Sequence, residues 1–193
     1  MTKITVAALQ LALGSTDEQE NIAAVSALVE EAAGKGARIV LPPELFSSPY
    51  FCKIEDDALF ATARPVAEHP SVTAMRELAR MLKVAIPTSF FERDGHHYYN
   101  TLAMIGHAVS NCMPVIAANR IGQENECGGD GQHFYGHSFI SDEWGDLIEQ
   151  YGAEETGALV ATLDLTAAAK HRASWGFFRD RRPQLYGRIC EDV

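Results

Sequence analysis

Residues 38–51 read Arg-Ile-Val-Leu-Pro-Pro-Glu-Leu-Phe-Ser-Ser-Pro-Tyr-Phe. The first four residues predict a short strand, which the two prolines end because proline has no N–H to donate to a neighbouring strand. The apolar run Ile4–Leu13 predicts an earlier strand, and a helical segment joins the two. A strand–helix–strand unit of this length implies parallel pairing with a right-handed crossover. Glu44 is therefore expected just past the carboxyl end of a parallel strand, where α/β proteins tend to place their chemistry.

The joining segment carries the signals of a helix start and a helix end. Ser15 and Glu18 have the spacing of a capping box, and Gly34 and Gly36 are typical of a helix end. Its apolar residues form one stripe: Ile22, Val25, Leu28, Val29 and Ala32. The rest of the chain predicts helices at 71–83 and 166–174, a polar loop at 122–132, and strands at 84–92, 96–104, 115–121, 135–141, 147–151 and 158–165. These elements predict an α/β fold in one domain spanning residues 1–193.

Length and charge exclude several classes of protein. The chain has 193 residues, of which 47% are hydrophobic, and this is enough for one sizeable core. A formal net charge of −10 disfavours a nucleic-acid binder, which needs a basic face against phosphates. The N-terminus reads as a strand rather than a signal peptide, and no apolar run approaches the ~20 residues that cross a membrane. We therefore expect a cytoplasmic protein with no nucleic-acid or membrane partner.

The cysteines are widely spaced and predict reduced thiols rather than a disulfide framework. Cys112 could serve as a nucleophile, but its place between a helix end and Pro114 favours a buried thiol that packs as a small apolar side chain. Cys52 is expected to pack behind the loop that contains Glu44. The four cysteines are Cys52, Cys112, Cys127 and Cys190.

Two further clusters of polar residues favour structural roles. His133 and His137 are four residues apart, as in a helical metal pair, but Tyr135-Gly136 between them predicts a strand or turn. With no third ligand at a useful spacing, we predict no metal and no cofactor. The basic run Arg179, Arg181 and Arg182 favours salt links within or between subunits.

Several stretches resemble known sequences. Residues 41–51 resemble the segment that carries the catalytic glutamate in the nitrilase superfamily of carbon–nitrogen hydrolases. Residues 175–186 resemble the closing segment of one branch, the N-carbamoylputrescine amidohydrolases. Residues 115–122 and 135–139 are similar to the strand and the Gly-x-Ser turn that follow the catalytic cysteine of that family. The resemblance implies a nitrilase-like α-β-β-α sandwich whose two sheets pack face to face.

The resemblance also implies a set of three catalytic residues, of which this chain has only one. Family members use a glutamate base, a lysine and a cysteine nucleophile, and Glu44 stands at the position of the general base. Residues 84–169 contain no lysine, and no cysteine of the chain is followed by the family's Trp-Asp. The nucleophile and the lysine therefore have no counterpart. Residues 1–105 and 106–187 resemble separate parts of the family, with an apparent deletion junction near 105–106, so the sandwich is expected to be incomplete and to lack central strands.

Three functional interpretations stay open. The first is an inactive homologue of the family that hydrolyses a carbamoyl or amide C–N bond in polyamine biosynthesis from agmatine. The second is an active amidase whose central segment is missing from this sequence. The third is a non-catalytic, oligomerising interaction protein. In the intact family the partner is a small N-carbamoylputrescine-like substrate, and we expect a homo-oligomer because missing strands would leave apolar faces exposed.

Overall fold

The computed structural model describes residues 3–51, 57–101, 112–124, 131–176, 179–180 and 182. The predicted junction at 105–106 and most of the helix end predicted before Pro114 lie outside these ranges. So do Cys52, Cys127, Cys190, Arg181 and most of the segment 177–193.

The first sheet has three strands. Strand β1 (Lys3–Gln10) pairs antiparallel with β10 (Gly157–Asp164) and parallel with β2 (Ile39–Leu41). Helix α1 (Glu18–Gly34) connects β1 to β2, so the predicted parallel strand–helix–strand unit is confirmed. Ile39 also forms a parallel bridge with Ala85, which extends this sheet beyond β2.

The second sheet has three strands, which are in order β5 (Val115–Ala117), β8 (Phe139–Ser141) and β9 (Leu147–Gln150). Both of its strand pairings are antiparallel. Two hairpins accompany it: β3 (Phe90–Asp94) with β4 (His97–Thr101), and β6 (Ile121–Glu124) with β7 (Gln132–Tyr135). The other helices are α2 (Pro70–Leu82), α3 (Leu165–Trp175) and the 3-10 turns Asp57–Thr62 and Val66–Glu68. Within the described ranges, no helix has both the length and the apolar composition to cross a membrane.

The core lies on both faces of β1, because successive side chains of a strand point to opposite sides. Ala7 and Leu9 pack in one buried cluster with residues of α1 and α2. Val6 and Ala8 pack in a second cluster with Ile140 of β8 and residues of β10. Helices α1 and α2, the first sheet and the second sheet are therefore stacked in that order, which agrees with the predicted α/β class and with two sheets face to face.

Four local predictions are wrong in detail. Helix α1 is capped by Asp17, whose carboxylate accepts from the Gln19 N–H, whereas the Ser15 hydroxyl donates to Glu20. The predicted strand 84–92 is regular only from Phe90, after the single bridge at Ala85.

The predicted loop 122–132 is also wrong in part, because it includes most of β6 and the start of β7. The predicted strand 135–141 is interrupted after β7. Gly136 and His137 adopt left-handed conformations there, with φ of 64° and 58°, and these form the predicted turn before Ser138.

Candidate functional site

Glu44 lies in the loop that follows β2, residues 42–51, the Glu44 loop. Pro42 and Pro43 are buried and end the strand, and the chain then turns so that the Glu44 side chain is exposed while Leu45 is buried. Leu45 has a left-handed φ of 49°, which is unusual for a branched side chain. The Tyr50 hydroxyl donates to Glu44 Oε2 at 3.3 Å, so both side chains face the same space.

That space is a pocket of about 270 Å³. Three parts of the chain form it: the Glu44 loop, the segment between β5 and β6, and strand β7. Its lining residues are Pro43, Glu44, Tyr50, Ala118, Asn119, Arg120, Gln132, His133, Phe134 and Tyr135. Glu44, placed from sequence past the end of a parallel strand, therefore borders a cavity large enough for a small molecule.

A buried ion pair lies behind the pocket. Arg120 Nη1 donates to Glu124 Oε1 at 2.6 Å, and the two side chains are only 2% and 3% exposed. Arg120 also donates to main-chain carbonyls of the Glu44 loop, namely those of Glu44 at 2.9 Å, Leu45 at 2.6 Å and Ser48 at 3.1 Å. Glu124 Oε2 accepts from the Tyr50 N–H at 2.6 Å. The opposite charges of Arg120 and Glu124 neutralise each other, and the hydrogen bonds of the two side chains hold the Glu44 loop at several points.

Aromatic rings form one wall of the pocket. The Tyr50 and Phe134 rings meet edge to face with centroids 5.5 Å apart, and the Arg120 guanidinium lies 5.5 Å from the centroid of each. Tyr135 adds a ring that is 66% exposed. Because the Arg120 charge is paired with Glu124, the Glu44 carboxylate and the aromatic faces set the character of the surface that a ligand meets.

The neighbouring turn is fixed by the side chain of Asn119. Its Nδ2 donates to the Gly136 carbonyl at 2.7 Å, and its Oδ1 accepts from the Arg120 N–H at 2.8 Å. The Asn119 N–H donates to Ser138 Oγ at 2.9 Å. The segment before β6 is therefore held against the turn after β7, and the two segments resembling the family's strand and Gly-x-Ser turn are brought together.

The other residues singled out from sequence are not brought to Glu44. Cys112 is buried, lies outside the lining of the pocket, and its carbonyl accepts from Arg172 at 3.3 Å. His133 lines the pocket, whereas His137 lies in the turn with its ring beside Tyr135. Among the described residues, no three His, Cys, Asp or Glu side chains group as metal ligands. Arg179 pairs with Asp180 on the surface, which is the kind of salt link predicted for this basic run.

Sequence reasoning missed Tyr50, Arg120 and Glu124 as parts of the site. One signal was present, since a glycine inside a strand pattern often marks a bend, and Gly122 has a φ of 82°. Strand β6 consequently loses its alternation, and Ile121 and Glu124 are both buried. Which acceptors Arg120 would meet depends on the Glu44 loop, 70 residues or more away in sequence, and no local pattern encodes that.

Comparison with known proteins identifies relatives that are similar in sequence to this chain. The N-carbamoylputrescine amidase of Solanum tuberosum is 29% identical over 281 residues, covering 95% of this chain and 93% of the relative. The citrullinase of Francisella tularensis is 28% identical over 284 residues, covering 98% and 99%. Both alignments exceed the 193 residues of this chain, so they include residues of the relatives that have no counterpart here.

Comparisons with solved structures and with family models point to the same kind of protein. The crystal structure of a carbon–nitrogen hydrolase from Helicobacter pylori shares the fold, with a TM-score of 0.83 at 19% identity over 98% of this chain and 99% of that one. A family model described as carbon–nitrogen hydrolase matches residues 5–108 and residues 102–173. On these matches, the chain belongs to the carbon–nitrogen hydrolase family.

Proposed function

We propose that this chain is a homologue of the N-carbamoylputrescine amidases that binds a small organic cation beside Glu44 and does not hydrolyse it. One observation carries the proposal. Glu44 borders a pocket, yet no lysine or cysteine is among the residues that line it in the described part of the chain. Residues 84–169 contain no lysine, and no cysteine precedes a Trp-Asp pair.

The chemistry of amide hydrolysis explains why a lone glutamate is insufficient. An unactivated C–N bond needs a nucleophile, a proton shuttle and stabilisation of the oxyanion in the tetrahedral intermediate. Glu44 can accept and return a proton, but it has no thiol beside it to form an acyl-enzyme. Because such groups act as a unit, loss of the nucleophile removes nearly all of the rate enhancement.

The pocket favours a cationic ligand. A carboxylate can accept several hydrogen bonds, so Glu44 can bind an ammonium group while it keeps its bond from Tyr50. The rings of Tyr50, Phe134 and Tyr135 offer faces that attract a cation. The net charge of −10 attracts cations to the protein as a whole. N-carbamoylputrescine, which carries one ammonium group, matches these features.

Calorimetric titration tests the proposal. We expect N-carbamoylputrescine and putrescine to bind, and Glu44→Gln to weaken binding at least about tenfold, which corresponds to a loss of about 1.4 kcal/mol. Glu30→Gln, which removes an exposed carboxylate on α1 away from the pocket, is the matched control and should leave binding unchanged. Equal affinity in the wild type and in Glu44→Gln would refute the proposed ligand site.

A second candidate is an active amidase with a longer natural chain. The alignments with relatives, which run beyond the length of this sequence, favour it. The intact mass of the protein from its natural source separates the two cases. A mass of 21.1 kDa supports the inactive form, whereas a clearly larger mass supports the active enzyme.

A further inference from the structure

The Glu44 loop depends on side chains from another part of the chain for its hydrogen bonds. Within the loop, the Ser48 N–H donates to the Leu45 carbonyl at 3.3 Å, beyond the usual range for a strong bond. The shorter bonds to the loop come from Arg120, at 2.6 to 3.1 Å, and from Glu124, at 2.6 Å. The loop is thus fastened from outside more firmly than from within.

Its backbone also needs an external constraint. Leu45 has a φ of 49°, a conformation that costs a non-glycine residue free energy unless the surroundings fix it. Arg120 Nη2 donates to the carbonyl of Leu45 itself and to that of Glu44. The guanidinium therefore holds the strained peptide on both sides of the Leu45 Cα.

A buried ion pair is a costly way to gain stability alone. Removing two charges from water offsets much of their attraction, and apolar replacements of similar size are often as stable. The Arg120–Glu124 pair is nearly fully buried, and one of its atoms, Arg120 Nε, has no hydrogen-bond partner. This arrangement is better explained by control of geometry than by stability.

We propose that the Arg120–Glu124 pair is a positioning device that fixes the Glu44 loop. It holds the turn at Leu45 so that the Glu44 carboxylate and the Tyr50 hydroxyl face the pocket. Without the pair, the loop opens locally while the sheets stay folded. The consequence for ligand binding rests on the proposed function, whereas the hold on the loop does not.

The geometry of the arginine side chain predicts that even a conservative substitution releases the loop. Arginine presents its donors in a planar fork, and here both terminal nitrogens bind carbonyls of the loop. Lysine keeps the charge but has a single nitrogen, so it cannot reach these separated acceptors together. Arg120→Lys is therefore expected to preserve the ion pair and still release the loop.

Hydrogen exchange of individual amides, followed by NMR without any ligand, tests the proposal. In the double variant Arg120→Met/Glu124→Met, the Ser48 and Tyr50 amides should exchange about 100-fold faster, while amides of β1 and β10 keep their rates. The matched control is Lys35→Met/Glu31→Met, which removes an exposed ion pair of the same sequence spacing and should change neither set.

Two results would overturn the proposal. The first is unchanged exchange at Ser48 and Tyr50, which would show that the loop holds its shape without the pair. The second is an equal acceleration in the loop and in β1, which would make the pair a general stabiliser of the fold. If the double variant does not fold, Arg120→Lys is measured in the same way, with the same outcomes deciding. Because no ligand is used, failure here is distinct from failure of the proposed ligand site.

Discussion

At the residue scale, Gly136 occupies a position that allows no side chain. Its φ is 64°, and a Cβ there would lie 2.6 Å from the Gly152 carbonyl oxygen and 2.9 Å from Ile121 Cγ2. The Asn119 side chain also binds the Gly136 carbonyl, which links this turn to the wall of the pocket. The absence of a side chain here allows the close approach of the β7–β8 turn to β6.

We expect Gly136→Ala to lower the free energy of unfolding by about 2 kcal/mol or more, because both the conformation and the space oppose a Cβ. The control is Gly34→Ala at the end of α1, where nothing lies within 4 Å of the added carbon. Alanine there should be neutral or stabilise by up to about 1 kcal/mol. Urea denaturation measures both changes, and equal stability of the two variants would contradict the argument.

At the element scale, the start of α2 carries a buried histidine. His69 stands at the N-cap position without a capping hydrogen bond from its side chain, and its Nδ1 is 2.9 Å from the Ser71 hydroxyl. Burial lowers the pKa of His69 below its usual 6.5; the negative charge of Glu18 opposes this effect, and the positive charge of Arg64 adds to it. A positive ring would also face the positive end of the helix dipole.

The lowered pKa of His69 makes the stability of the protein depend on pH. As the pH falls below about 6.5, the unfolded chain binds a proton at His69 more readily than the folded chain does, so the free energy of unfolding decreases. The stabilisation that comes from a neutral His69 in the folded protein is fully present above that pH. As the pH falls, the free energy of unfolding decreases through this one group by no more than about 1.4 kcal/mol per pH unit. Melting temperatures from pH 7.5 to 5.5 should fall less steeply in His69→Gln than in the wild type. Parallel curves would assign the pH dependence to other groups.

The elements also show what the sequence predicts and what it does not. Strand β1, helix α1 and strand β2 followed from local patterns, and so did the position of Glu44 just past Leu41. The split between β7 and β8 and the hairpin β6–β7 did not, because their polar residues are held by distant partners. Glu124, for example, reads as an exposed loop acid until Arg120 and the Tyr50 N–H are brought to it.

At the scale of the whole molecule, an exposed aromatic and apolar patch predicts association. Trp144 and Trp175 are 53% and 51% exposed, and the ring of buried His171 packs against both. Leu147, three residues after Trp144 in sequence, is 57% exposed. Exposed apolar patches promote contact between proteins. We therefore expect a homo-oligomer in sedimentation velocity. Trp144→Arg/Leu147→Glu should shift it toward monomer, and Met81→Glu, at an exposed position on α2, should not. A sharp monomer peak for the wild type would contradict this expectation.

A hydrolysis assay tests the proposal that this family member lacks the groups needed for turnover. The purified chain is incubated with N-carbamoylputrescine, ammonia release is followed, and mass spectrometry searches for an acyl adduct on each cysteine. We predict no release above background and no adduct, with Glu44→Gln indistinguishable from the wild type. With a relative's central segment restored, we expect turnover that Glu44→Gln reduces at least about 100-fold. Turnover by the present chain that disappears in Cys112→Ser would contradict the account, because it would show that another cysteine acts as the nucleophile.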